Sequence, residues 1–322
     1  STPVIADGKV WITTALDKPA EPADAERRRK ASTNSQPLTI SESVSLRAIA
    51  YDLETGQQQN DVEVILKSQP QMIHVDNTYA TPTPIIDGSR LYCHYGPSGI
   101  ACLDLQNEAV VWTNQELVVK HENGCGSSPV LWRNLLIVHC DGIDQQYIVA
   151  LDKNSGEVVW KTPRSGKLRD EPQMRKAYAT PLIVQIDGQD QVISPAADWV
   201  YGYDPETGRE LWKMNYGQLG FSNAARPVAD NGSVFICTGY MKGQLLAIRP
   251  QQIGGQFEPR ELWRFAKQVP NVSSPVLVDG RIYFASDNGI ATCLDSETGK
   301  PLWTRRIGKR FWASPIHADG RI

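Results

Sequence analysis

The sequence predicts an all-β fold of the β-propeller type, built from four-stranded blades. Three observations carry that expectation. One ten-residue string recurs, a second motif recurs between its copies at a near-constant interval, and the runs joining them are short and apolar without helical period. The first string reads LDSETGKPLW at 294–303, YDPETGRELW at 203–212 and LDKNSGEVVW at 151–160, with a looser copy, LDLQNEAVVW, at 103–112.

The second motif is a small residue, a Pro, an apolar run and a tight turn. It occurs as STPVIADGKVWI, ATPTPIIDGSRLYC, SSPVLWRNLLIVH, ATPLIVQIDGQDQVI, ARPVADNGSVFI, SSPVLVDGRIYF and ASPIHADGRI. Taking Pro3, Pro82, Pro129, Pro181, Pro227, Pro275 and Pro315 as its leading prolines, successive spacings are 79, 47, 52, 46, 48 and 40 residues. One unit is therefore about 40–50 residues long, the length of a propeller blade, and the first carries an insertion.

Within a unit the elements follow in order. The apolar run after the Pro is a first strand, and the Asp-Gly turn leads to a second, because glycine accepts the positive φ of a tight turn and Asp bonds the turn's own backbone. A variable loop precedes a third strand ending in Leu-Asp. A Glu-Thr-Gly turn then leads to a fourth strand carrying Trp112, Trp160, Trp212, Trp263 or Trp303. Such a ring is expected to wedge against the next blade, aimed in three units by the glycine four residues before it. Runs such as RIYFA and NLLIVH are apolar on both faces, as suits a sheet sandwiched between neighbouring sheets.

The insertion, about Thr14 to Leu46, contains KPAEPADAERRRKASTNSQP. Its Pro, Ala, Ser and charge content predicts a mobile loop, with DAERRRKAS its one helical stretch. Six complete repeats precede the start of a seventh, which stops at Ile322. The expectation is one propeller domain over 1–322, truncated at both ends.

Composition bounds the chemistry. The 322 residues are 41% hydrophobic, enough for a large core, and the net charge of −3 argues against a nucleic-acid partner. No apolar run approaches the length of a membrane span. The start, STPVIADGKVW, has no signal-peptide pattern. Six cysteines lie far apart without a CxxC pair. A hairpin centred on Pro97 and Ser98 would set Cys93 opposite Cys102, which leaves open whether they bond. The five histidines show no metal spacing, NGCGSS leads into a strand rather than a helix, and no GxSxG elbow is present. No catalytic or metal residue is assigned.

The pairing of SSPVLVDGRIYF with LDSETGKPLW resembles the pyrroloquinoline-quinone-like (PQQ-like) repeat family of bacterial β-propellers, in the quinoprotein-like superfamily. SVSLRAIAYDLETG, LLIVHCDGIDQQYIVALD, ADWVYGYDPETG and SDNGIATCLDSETGK look like secreted bacterial propellers of unassigned function. More distantly, the chain is similar to the propeller lipoprotein of the outer-membrane assembly machinery. The resemblance implies eight blades in the full-length protein, a bacterial origin and a periplasmic or secreted location. It does not extend to the quinone enzymes' adjacent cysteine pair, so PQQ is not expected and no cofactor is.

If strands alternate in direction within a blade, the Asp-Gly and Glu-Thr-Gly turns share one end and the irregular loops share the other. Loops held by a rigid scaffold are where binding resides. The candidate binding face comprises His121, His139, Asp141, Arg169, Arg175, Tyr178, Phe221, Arg226, Arg305, Arg310 and Trp312. Two loops on it are basic: 161–177 carries +6 − 2 = +4 and 304–312 carries +4. The expected function is a non-enzymatic, extracytoplasmic scaffold binding a protein or an anionic polysaccharide. The alternative is an enzyme, quinoprotein-like or a loop-based lyase or hydrolase.

Overall fold

The computed structural model describes residues 1–322 and is a β-propeller of four-stranded antiparallel blades, six of them complete. The chain divides into two compact units, Ser1–Lys161 and Thr162–Ile322.

The first unit holds blades 1 to 3. Blade 1 is Val4–Ala6, Lys9–Pro19, Ser41–Asp52 and Gln58–Ser68; blade 2 is Ile85–Asp87, Arg90–His94, Ile100–Asp104 and Val110–Asn114. Blade 3 is Val130–Trp132, Leu135–Asp141, Gln146–Asp152 and Val158–Pro163, its last strand running to the unit boundary. Alternate residues of one strand enter different cores. Leu91 and Cys93 join Val44 and Leu46 of blade 1, whereas Tyr92 joins Leu136 and Val138 of blade 3. That is why these strands are apolar on both faces.

The same alternation settles the cysteines. Cys93 stands opposite Ala101, and Tyr92 opposite Cys102. The hairpin turns around Gly96–Ser98, but its register is one residue away from a Cys93–Cys102 pair. Cys93 and Cys102 therefore point into opposite cores, and all six thiols are free and buried.

The second unit holds blades 4 to 6. Blade 4 is Leu182–Ile186, Gln189–Pro195, Trp199–Tyr203 and Glu210–Asn215; blade 5 is Val228–Asp230, Ser233–Cys237, Leu245–Ile253 and Gln256–Phe265. Blade 6 is Val276–Val278, Arg281–Ala285, Ile290–Asp295 and Pro301–Arg306. Val234 and Ile236 pack with blade 4, Phe235 and Cys237 with blade 6. The seventh repeat motif forms only an isolated bridge, Ala318 to Arg321.

The tight turns share one end of each blade, as expected. Leu53, Leu105, Lys153 and Ser296 each donate a backbone N–H across from the second turn of their blade to the first, at 2.8–2.9 Å. In the Asp-x-x-Thr-Gly turns the Asp caps its own loop. Asp295 Oδ1 accepts from Thr298 N (2.8 Å) and Oγ1 (2.7 Å), and Asp52 Oδ1 from Thr55 N and Oγ1 (both 2.8 Å).

The glycine of that turn has a different task from the one expected. In blades 3 and 6, whose turns are Asp-x-x-Ser-Gly and Asp-x-x-Thr-Gly, it makes room for the Trp of the blade before. A Cβ on Gly156 would lie 2.4 Å from the Trp112 ring, and one on Gly299 2.5 Å from the Trp263 ring. Trp112 Nε1 donates to Lys153 O and Trp263 Nε1 to Ser296 O, both at 3.0 Å. Blade 5 lacks the Asp-x-x-Thr-Gly turn, having the long hairpin 249–260 instead. Trp212 of blade 4 accordingly lies on Gly202 of its own blade and donates to Gln191 Oε1 at 2.7 Å.

The small residue before the repeat Pro also joins blades. Thr83 N donates to Ser128 Oγ, Arg226 N to Ser274 Oγ, and Ser274 N to Ser314 Oγ, each at 2.9 Å. This latch places Pro84, not Pro82, in register with Pro129, so the first two spacings are 81 and 45 residues.

The insertion differs most from expectation. Lys9–Pro19 pairs with Ser41–Asp52 along its length, from Lys9 opposite Asp52 to Pro19 opposite Ser41. Residues 14–19 and 41–46 are thus strand, with Val44 and Leu46 fully buried. The excursion proper is 20–40. It contains the helix Pro22–Lys30, with Pro in its first turn and Arg27, Arg28, Arg29 and Lys30 in its last, and the strand Leu38–Thr39, which pairs with Ile73–His74. Arg28 fixes the helix by donating to the carbonyls of Ser41 and Pro70. Composition averaged over the insertion hid the alternation of SESVSLRAIAYD.

Candidate binding surfaces

In the first unit the three candidate residues are interior. His139 and Asp141 are on the second strand of blade 3, two residues apart and so on one face, and are 2% and 0% exposed. His121 is 4% exposed, and its backbone N–H donates to Gln71 Oε1 at 3.1 Å. The loop around it is held by its own polar groups: Ile143 N donates to Lys120 O (2.7 Å), and Lys120 N to Asp144 Oδ1 (2.8 Å). Polar residue types in a loop pointed to display. Here they serve internal bonding instead.

In the second unit the stretch 161–177 spends most of its positive charge internally. Arg169 forms a two-pronged ion pair with Asp198, both contacts at 2.5 Å, and its pKa is raised further, chiefly by the hydrogen bond to Asp198. Arg175 donates to the carbonyls of Arg169 (2.7 Å) and Asp170 (2.9 Å). Lys176, 1% exposed, donates to Gln173 Oε1, and Arg164, 8% exposed, donates to Ser194 Oγ and lies over the Tyr201 ring. The expected +4 patch is therefore largely withdrawn. Charge counted along a sequence says nothing of which guanidinium finds a partner after folding.

Tyr178 N donates to Asn223 O at 2.9 Å, which sets Tyr178 beside the connection carrying Phe221. Phe221 stacks edge-on against Tyr240, ring centroids 6.0 Å apart, within a small sheet formed by Gly220–Phe221 and Tyr240–Met241. Arg226 is exposed, its N–H engaged in the Ser274 latch.

Blade 6 keeps its charges at the surface. All of Pro301–Arg306 is exposed, and Arg305 and Arg310 have open side chains. Arg310 lies over the Trp312 ring at 4.3 Å, and Trp312 is itself 51% exposed. Arg305, Arg310 and Trp312 are thus brought to one exposed segment.

No group of three or more His, Cys, Asp or Glu side chains is placed to hold a metal ion, and no helix is long and apolar enough to cross a membrane.

A family model described as "Outer membrane protein assembly factor BamB" matches residues 8–162 and 255–322, well over half of the chain. The chain belongs to the BamB family of PQQ-like repeat propellers. Two curated BamB proteins illustrate the relationship. That of Alteromonas naphthalenivorans is 22% identical over 250 residues, 73% of this chain and 57% of the relative. That of Yersinia pestis is 24% identical over 180 residues, 52% of this chain and 41% of the relative. The chain thus spans about half the length of the curated BamB proteins it matches, 41–57%. Among solved structures, BamB from Moraxella catarrhalis superposes with a TM-score of 0.61 at 17% identity, covering 88% of this chain and 77% of that one. A quinohemoprotein alcohol dehydrogenase from Pseudomonas putida HK5 superposes at 0.57 with 13% identity, covering 99% of this chain and 68% of that one. At these identities the BamB and quinohemoprotein likenesses establish the fold alone.

Proposed function

We propose that this BamB-family chain is a non-enzymatic binding scaffold, working without a cofactor on the periplasmic side of the outer membrane. Its partner there is a protein of outer-membrane protein assembly, the process in its relatives' names. The observation that carries the reading is the match of residues 8–162 and 255–322 to the outer-membrane assembly factor family model; within the chain, Arg305, Arg310 and Trp312, with the Arg310 guanidinium over the Trp312 ring, are the proposed contact. An aromatic ring with adjacent guanidinium groups is the residue chemistry that dominates protein interfaces, and its charge suits an acidic partner surface.

The test is photo-crosslinking in cells, with the crosslinker at Trp312 and, for comparison, at Asn154 in a tight turn of blade 3. Protein adducts should form from position 312 and disappear in an Arg305→Glu/Arg310→Glu variant. Equal adducts from both positions, or adducts insensitive to the charge reversal, would refute the protein-docking reading. Retention of the purified chain on heparin, lost in the same variant, without any protein adduct, would instead support an anionic polysaccharide.

A further inference from the structure

The first turn of every repeat shares one backbone. Two residues link the paired strand ends, and the first of them is left-handed, with φ between 47° and 56°, in all six blades and in the seventh motif. Asp7, Asp187, Asn231, Asp279 and Asp319 take that place, and Gly88 in blade 2, all residue types that tolerate it. Blade 3 departs. Its loop is Arg133-Asn134, so an arginine holds φ 51° there, and the residue before it is Trp132 where the other copies have Ala, Asp, Ile or Val. Left-handed backbone under such a side chain is strained, and the other turns show that the fold does not require it.

The departure mounts a guanidinium. Arg133 is exposed and lies over the Trp132 ring, 4.2 Å from its centroid, and its guanidinium enters no ion pair or hydrogen bond. Arg28, Arg47 and Arg90 of the same unit instead give their donors to protein oxygens. The lysine of the adjoining turn is engaged as well. Lys153 Nζ donates to Asp87 Oδ2 at 2.6 Å, and its backbone N–H, given to Asn134 O at 2.9 Å, ties the two turns of blade 3 together. Strain, an aromatic ring and unspent N–H donors thus coincide at one turn.

We propose that the first turn of blade 3 is a contact site for a protein segment presenting a carboxylate. A guanidinium held over a ring loses little freedom on binding, and its planar fork of donors matches a carboxylate in two-pronged fashion. Trp and Arg are also the residues that most often dominate protein contacts. A polyanion would call for a net positive surround. The other charged residues of these adjoining turns, Asp87, Asp152, Lys153 and Glu157, instead sum to +1 − 3 = −2. The site lies on another blade from Arg305, Arg310 and Trp312, at the tight-turn end, and stands or falls without them.

The experiment probes the whole chain on an array of short peptides, each carrying one Asp or Glu among apolar residues and each paired with its Asn or Gln counterpart. It uses the Arg305→Gln/Arg310→Gln background, so that the blade 6 segment contributes nothing. Carboxylate peptides should be retained about five-fold more strongly than their amide counterparts. Arg133→Asp/Asn134→Gly, which restores the Asp-Gly turn of the other repeats, should abolish that preference while the melting temperature stays unchanged or rises. Arg133→Lys, which keeps the charge without the planar fork, should reduce it about three-fold. The same turn variant removes any adduct that a crosslinker at Asn154, in the adjoining turn, forms through this contact, which keeps the two docking readings distinguishable. The proposal is overturned by equal retention of carboxylate and amide peptides, by a preference that survives restoration of the Asp-Gly turn, or by a lower melting temperature of that variant, which would make the Arg133–Trp132 stack a brace of the hairpin.

Discussion

The Ser-Pro dipeptides of the repeat join two blades through one hydroxyl. Proline holds the preceding residue extended, and in SSP that residue is a serine whose Oγ accepts the N–H of its counterpart one blade earlier. Ser274→Ala leaves the Arg226 N–H without this acceptor and should cost about 1 kcal/mol in chemical denaturation. The neighbouring Ser273 is the control. It is fully buried and its Oγ has no hydrogen-bond partner, so Ser273→Ala should be neutral or stabilising by up to about 1 kcal/mol. A reversed order of effects would show that the latch does not couple the blades. The sequence made the small residue before the Pro visible as a pattern. It could not reveal the hydroxyl's use, because the acceptor and its donor are 40–48 residues apart.

Between elements, the joint is a Trp lying on a glycine. In Gly156→Ala the new methyl collides with Trp112 at a residue with φ 75°, whereas at Gly56, φ 69°, nothing lies within 4 Å. Both substitutions strain the backbone by about 1–2 kcal/mol, but only the first overpacks, so Gly156→Ala should cost roughly 1–3 kcal/mol more than Gly56→Ala in thermal denaturation. Equal costs would mean that the ring moves freely aside. The strands and turns were legible because their signals are local. The candidate face was less so: Arg169 and Asp198 are 29 residues apart, and no local pattern announces their ion pair.

At the scale of the whole molecule, stability should fall towards acid for two stated causes. Asp52, Asp104 and Asp295 have carboxyls held below the ordinary range, first by hydrogen bonds from Thr55 N, Gln106 N and the Thr298 hydroxyl respectively. Their contribution is present above the unfolded value of about 4 and is lost as pH drops through the lower folded values. His94 acts earlier. Burial lowers its pKa to about 4, and its Nδ1–H donates to Ser127 O at 2.9 Å, so the folded first unit holds it neutral while the unfolded chain takes up a proton near pH 6.5. Stability should therefore decline by roughly 3 kcal/mol between pH 6.5 and 4 and less in His94→Gln; an unchanged pH profile in that variant would exclude His94 as the cause. The joints have a further consequence, for ancestry. Because a joint such as Trp112 on Gly156 or Trp263 on Gly299 is spelled half in one repeat and half in the next, copying a repeat that carries both halves, as blades 3 and 6 do, sets each new Trp before a glycine turn, and a lineage can add such a repeat without inventing a new contact. Blades 1, 2 and 5 are exceptions: the last strand of blade 1 has no Trp, blade 2 has Glu108 at the glycine position, and blade 5 has a hairpin there, so a second copy of blade 2 or 5 would strand the Trp before it and duplications should be inherited more readily elsewhere in the chain.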